Sequence, residues 1–167
     1  MILIGIDTAL RSTGYGVIRV EGKGFEAIDC GVITNSKKDS HSECLRRVAG
    51  GTREIVNKFK PEVAAIEGGF FYRNAKTAMV LGMARGAVVS VLAEFSLPIY
   101  EYAPRRVKQA VTGTGAAEKS RVADVVAKML NLNLSLIPDD ATDALAIALC
   151  HAMTGHAAGG IHLPEPL

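Results

Sequence analysis

Cysteine is scarce in this chain and poorly spaced for cross-linking: Cys30, Cys44 and Cys150 are odd in number, far apart, and form no C-x-x-C pair. That excludes a zinc-binding cysteine motif and a disulfide framework, and leaves reduced thiols as the natural reading. Long hydrophobic runs are missing too, since no stretch reaches the ~18 uncharged apolar residues that a membrane span needs. The N-terminus runs straight into a short apolar segment, with no basic leader and no cleavage site. The sequence therefore predicts a cytoplasmic protein with no membrane association. Aromatic residues are few, five Phe and four Tyr, so the adjacent trio Phe70, Phe71 and Tyr72 stands out.

What is present is an apolar fraction of 49% in 167 residues, enough to build one core in one domain. The net charge of +2 hides an uneven distribution. Between residues 72 and 121 the cations Arg73, Lys76, Arg85, Arg105, Arg106, Lys108, Lys119 and Arg121 face only Glu94, Glu101 and Glu118. A basic middle third predicts a polyanionic partner.

Apolar patterning predicts strands over residues 2–7, 14–20 and 25–33, the last two separated by the turn Gly22-Lys23-Gly24. Helical spacing follows over 42–59, ended by Pro61, then a strand over 63–67. After a Gly-hinged loop come a long helix over 75–95, a fifth strand over 98–102, and helices over 104–111, 118–130 and 139–153. Pro104 near a helix start and the breaker Thr112-Gly113-Thr114-Gly115 punctuate that run. This order predicts an α/β domain with a mixed sheet whose first three strands are antiparallel, flanked by helices. It places the domain at residues 1–154 and a poorly ordered tail, rich in Gly and Pro, at 155–167.

Four carboxylates sit where such elements end or begin. Asp7 closes the first strand, Glu67 closes the fourth, and Asp140 and Asp143 open the last helix. A carboxylate at the end of a buried strand needs a partner to offset its desolvation, and a divalent cation is the natural one. Asp143 lies three residues from Asp140 and four from Asp139, so spacing alone leaves open which of the two shares its face, and Asp139 also suits a capping role. Strand-end carboxylates beside a helix bearing two more form the kind of set that holds two hard cations about 4 Å apart. Two such ions would cancel about four negative charges and make the surface more cationic than the formula says. Metal-paired sites of this kind hydrolyse phosphodiesters without a nucleophilic side chain.

Other segments are less specific. The stretch Gly113-Thr114-Gly115-Ala116-Ala117-Glu118-Lys119-Ser120 has a phosphate-loop look, but Glu118 stands where such a loop needs Gly, which argues against nucleotide hydrolysis. Its end can still hold a DNA phosphate through Lys119 and Arg121 at a helix start. Phe70, Phe71 and Tyr72, followed by Arg73 and Lys76, suit stacking on exposed bases, with at least one ring expected in the core. The four histidines do not cluster. The long helix is apolar on more than one side and rich in Ala and Gly, which predicts a second contact, most simply a two-fold dimer.

Assembled in order, these blocks resemble the RuvC family of Holliday junction resolvases, within the RNase H-like superfamily. The blocks are Gly5-Ile6-Asp7 with Thr13-Gly14-Tyr15-Gly16-Val17-Ile18; Ala65-Ile66-Glu67 with Phe70 and Arg73-Asn74; and Leu81-Gly82-Met83-Ala84-Arg85-Gly86. Tyr102-Ala103-Pro104, Val107-Lys108-Gln109, Ala117-Glu118-Lys119-Ser120 and Asp140-Ala141-Thr142-Asp143 complete the likeness, which runs nearly to residue 154. The resemblance implies an RNase H-like five-stranded mixed sheet. It also implies a homodimer that cuts four-way DNA junctions by paired symmetrical nicks, leaving 5′-phosphate ends. Mg²⁺ or Mn²⁺, two ions per subunit, and the branch-migration partners RuvA and RuvB come with it. By matching position, Asp7, Glu67, Asp140 and Asp143 are the implied metal-binding catalytic carboxylates, which favours Asp140 over Asp139. Phe70 matches the aromatic that stacks at the junction, Lys108 and Lys119 match residues that hold the scissile backbone, and Arg73 and Lys76 are further expected DNA contacts.

Two departures stand out. Thr8-Ala9 replaces a frequent Pro-Gly, and Gly68-Gly69 replaces bulkier residues, which predicts a looser loop around Phe70. Rival readings are a non-catalytic junction binder, which has no use for four anions facing DNA, and a hydrolase of RNA–DNA hybrids. A sugar-kinase-like or actin-like ATPase needs two such halves, for which the chain is too short.

Overall fold

The computed structural model describes residues 1–68, 74–157 and 163–167. Its elements run β1 (Ile2–Asp7), β2 (Ser12–Glu21), β3 (Gly24–Thr34), α1 (His41–Phe59), β4 (Val63–Glu67), α2 (Ala75–Glu94), β5 (Ile99–Tyr102), α3 (Pro104–Thr112), α4 (Lys119–Leu130) and α5 (Asp139–Ala157). Local chemistry sets several of these limits. Ser40 and Glu43 form a reciprocal capping box at the start of α1, and Lys60 ends that helix in the left-handed region at φ 47°. Asn74 caps α2 by accepting from the Lys76 and Thr77 amides. Gly113, at φ 83°, stops α3.

The strands form one sheet in the order β3-β2-β1-β4-β5. β1 is antiparallel to β2 and β2 to β3, whereas β1 and β4, and β4 and β5, are parallel. This is the mixed sheet that the element order predicts. Its alternating side chains build a core on each face. Leu3, Val63, Ala65 and Tyr102 pack with α3, α4 and α5, while Ile4, Ile6, Ala64, Ile66 and Ile99 pack with α1 and the second half of α2. Strands buried on both faces read as continuous apolar runs, which is why β1 and β4 were plain in the sequence.

α5 lies close on the sheet because β1 and β2 present glycines beneath it at Gly5, Gly14 and Gly16. A Cβ on Gly5 would stand 2.1 Å from the Ala144 carbonyl oxygen, and one on Gly14 only 1.9 Å from that of Asp140. The helix outruns its predicted end at residue 153 by a further turn, to Ala157. A short 3₁₀ turn at Leu134–Leu136, not foreseen from the sequence, leads into it. The predicted tail falls partly outside the described residues. Within them, the Leu167 amide donates to the Ile99 carbonyl at 2.9 Å.

α2 is seated by one half only. Its buried residues are Ala84, Val88, Val91 and Leu92, and Met79 and Met83 are exposed at 69% and 39%. Among the described residues this is the one helix long and apolar enough to cross a membrane by length and composition, with a mean hydropathy of 1.4 and Arg85 breaking its uncharged run.

Candidate active site

Two strand ends and one helix start converge. Gly5 and Ala65 are register partners in the parallel pair β1 and β4, as are Ile6 and Ile66, so Asp7 and Glu67 end neighbouring strands at the same edge. Counting by twos from Gly5, which touches α5, puts Asp7 on the α5 side. Gly14, the register partner of Asp7, lets the first turn of α5 descend onto the sheet. Asp140 and Asp143, three residues apart, then share the helix face above Asp7. Carboxylate oxygens of Asp7, Asp140 and Asp143 lie within 4.8 Å of one another. Glu67 stands outside that group of three but lines, with Asp7, Asp143, Lys108 and Lys119, an open cleft of about 200 Å³ over a floor including Val107, Val122 and Ile147.

Burial pushes the Asp7 carboxyl up to about 6, and repulsion from Asp143 and Asp140 adds to it against the opposing pull of Lys119. Glu67 is pushed up to about 7, again by burial first, then by Asp7 and Asp143, with Lys119 and Lys108 opposing. Among the described residues the cation paired with the set is Lys119, whose Nζ stands 2.8 Å from Asp143; that hydrogen bond raises the ammonium pKa. Ser12 Oγ donates to Asp140 Oδ2. Four crowded, partly desolvated carboxylates answered by few cations, with oxygen as the only donor type, fit a hard divalent ion.

The remaining expected residues divide. Lys108 and Lys119 line the cleft. Lys76 does not: it borders a separate hollow with Leu10, His41 and Val80, at the start of α2. Phe70 and Arg73 lie outside the described residues. Asp139 is exposed and outside the three-carboxylate group. Of the two departures, Thr8-Ala9 lies in a turn closed by Thr13, whose Oγ1 donates to the Ala9 carbonyl at 2.5 Å. Gly68 is buried and its amide donates to the Tyr102 carbonyl at 3.0 Å, so the chain is held at that residue, while Gly69 and the Phe70 loop expected to be looser lie outside the described residues.

Sequence reasoning missed the residues behind the carboxylates. Nothing in its neighbourhood marks Ser12 as a partner of Asp140, since the two are brought together only by the tertiary fold. Arg85, on α2, donates to the Glu67 carbonyl at 3.1 Å and pairs with Glu101. Tyr102 bonds through its hydroxyl to His151 Nδ1 at 2.8 Å, a contact buried under α5. The one usable signal was a single arginine interrupting an otherwise apolar helix.

A mixed sheet in this order, with acidic residues at two adjacent strand ends and on the helix laid across them, defines an RNase H-like domain with a carboxylate site suited to metal ions. The family model for crossover junction endodeoxyribonuclease RuvC matches residues 3–151. The chain belongs to the RuvC family. Relatives named crossover junction endodeoxyribonuclease RuvC include that of Pelodictyon phaeoclathratiforme, 45% identical over 93% of this chain and 81% of its own length. That of Alkaliphilus metalliredigens is 43% identical over 93% and 95%. Among solved structures, T. thermophilus RuvC in complex with Holliday junction substrate superposes with a TM-score of 0.90 at 36% identity, covering 100% of this chain and 99% of that one. The yeast mitochondrial Holliday junction resolvase, at 12% identity and a TM-score of 0.62, shares the fold.

Proposed function

We infer that this protein is a structure-selective endonuclease that resolves four-way DNA junctions by paired, symmetry-related hydrolytic nicks in recombination and repair. The observation that carries the reading is the convergence of Asp7, Asp140 and Asp143 oxygens within 4.8 Å, in a cleft shared with Glu67 and two lysines, on a chain of the RuvC family. The catalytic unit is residues 1–154.

Asp7, Glu67, Asp140 and Asp143 are the residues that would hold two Mg²⁺ ions, or Mn²⁺ in their place. Such ions supply an activated water and stabilise the leaving oxygen of an in-line displacement. Asp7, whose carboxylate oxygen lies within 4.8 Å of those of Asp140 and Asp143 and which lines the same cleft as Glu67, would be a ligand within that set. Ser12 donates to one oxygen of Asp140 and so orients the carboxylate that would help hold an ion. Lys119 and Lys108 hold the scissile phosphate against this negative wall, which a phosphodiester would not approach unaided. Phe70, by its sequence position, stacks at the junction centre, and Arg73 and Lys76 hold the flanking backbone. The half-exposed face of α2 suits a homodimer, which delivers two symmetrical cuts. RuvA and RuvB are the proposed partners, and the cytoplasm the proposed location.

Purified protein incubated with a synthetic mobile four-way junction and Mg²⁺ should nick two opposed strands at symmetry-related positions, leaving ligatable 5′-phosphate ends. Asp7→Asn should bring cleavage below detection while junction binding persists. Random nicking of all four strands, or full cleavage by Asp7→Asn, would refute the reading.

A further inference from the structure

The peptide that joins Glu67 to Gly68 is held at both polar ends. Its carbonyl oxygen accepts from Arg85 Nη1 at 3.1 Å, and its amide donates to the Tyr102 carbonyl at 3.0 Å. A peptide is planar, so holding both ends fixes the plane that follows Glu67; with Glu67 itself paired in the sheet, this restrains ψ and the Cα–Cβ direction from which the carboxylate side chain departs. Each clamp is itself anchored. The Arg85 guanidinium pairs with Glu101, both only partly exposed. Tyr102 is tied to His151 on α5. Gly68 makes room for the arrangement, because a Cβ there would stand 2.8 Å from Glu101 Oε1 and 3.0 Å from Glu101 Cβ.

Arg85 also marks where α2 begins to be held. No residue from Ala75 to Met83 is buried, and Ala84, immediately before Arg85, is the first that is. An arginine can serve both neighbours at once, because its planar fork offers separate N–H groups to a carboxylate and a carbonyl. Lysine, a point charge, would have to divide one ammonium between them.

We propose that Arg85 is a positioning residue for the reaction: with Glu101 it grips the end of β4 from α2 and sets the Glu67 carboxylate for the metal ions. Any displacement of α2 is thereby passed to one metal ligand. The inference rests on Glu67 being such a ligand.

The test compares Arg85→Met, Arg85→Lys, Glu101→Gln and Glu67→Gln with wild type in three measurements: Mn²⁺ titration by calorimetry, melting in EDTA, and the metal concentration giving half-maximal junction cleavage. Arg85→Met should weaken Mn²⁺ binding and raise the half-maximal metal concentration together, by roughly tenfold, the scale of loss when a ligand's supporting hydrogen bond is removed. Junction binding in EDTA should stay at wild type. Arg85→Lys should recover part of the loss. If Arg85→Met does not fold, Glu101→Gln decides, since it keeps the bond to Glu67 but loosens the guanidinium, and should show a smaller shift of the same kind. A lowered melting temperature with unchanged Mn²⁺ isotherms would make the contact merely structural and overturn the proposal. A wild-type Mn²⁺ isotherm for Glu67→Gln would overturn the ligand role of Glu67 and this inference with it. An inactive Glu67→Gln beside a wild-type Arg85→Met would overturn this inference alone.

Discussion

α5 and α2 have the same character on paper, Ala-rich helices of 19 and 20 residues with apolar side chains on several sides. Their surroundings are opposite. α5 is enclosed by the sheet, α3 and α4, and from Ala144 to Ala152 every residue on it is buried. α2 is seated only through its second half, against α1 and the far face of the sheet. A helix apolar all round must be covered all round, and the fold supplies that cover for α5 but for only part of α2. The site follows the same division. α5 brings two carboxylates rigidly over Asp7, while α2 reaches Glu67 through a single arginine.

The largest expected break in this comparison is at the α5 contact. Gly14→Val should destabilise the protein by more than about 3 kcal/mol, because its Cβ would overlap the Asp140 carbonyl and lift the helix from the sheet. Denaturant melts measure this, and a wild-type midpoint would mean that α5 adapts freely.

A smaller effect distinguishes the charged end of the α5 face. In the metal-free protein the Asp7 and Glu67 carboxyls sit at about 6 and about 7, above their ordinary 3.8 and 4.5. A carboxyl raised by folding binds its proton more tightly in the folded state. Its contribution is therefore full below about pH 4 and is lost as pH rises through 6 to 7. Melting in EDTA should fall over that window. Stabilisation by Mg²⁺ should grow over it, since binding requires those protons to leave. Thermal melts from pH 5 to 8 with and without Mg²⁺ check both slopes, and a Mg²⁺ shift independent of pH would contradict them.

The smallest effect is expected on α2. A Cβ on Gly86 meets nothing within 4 Å, so Gly86→Ala should raise stability by about 0.5–1 kcal/mol through helix propensity alone. A loss that depends on protein concentration would instead show a second copy packed on this face.

Much was legible in order. Strands β1 and β4 announced themselves because burial on both faces demands unbroken apolar residues, and Asp7 and Glu67 were conspicuous as the charges that end them. Asp140 was harder, since periodicity allowed Asp139 as well; the exposed position of Asp139 and the three-carboxylate cluster come from how α5 is rotated on the sheet. Lys76 looked like its basic neighbours, yet its place at the start of α2 turns it toward another hollow. At Gly68 the missing side chain lets Glu101 close in, and the amide is bound, neither of which the sequence marked.

The sequence by itself determined the element order, the two-faced core, and the acidic residues that would be costly to bury without a partner, because these depend on local patterning and desolvation. Only the tertiary structure decided that Gly5 and Gly14 admit α5 to the sheet, that Ser12 meets Asp140, and that Arg85 meets the Glu67 carbonyl. Those contacts join residues far apart in the chain, and no local propensity encodes where two distant backbones touch.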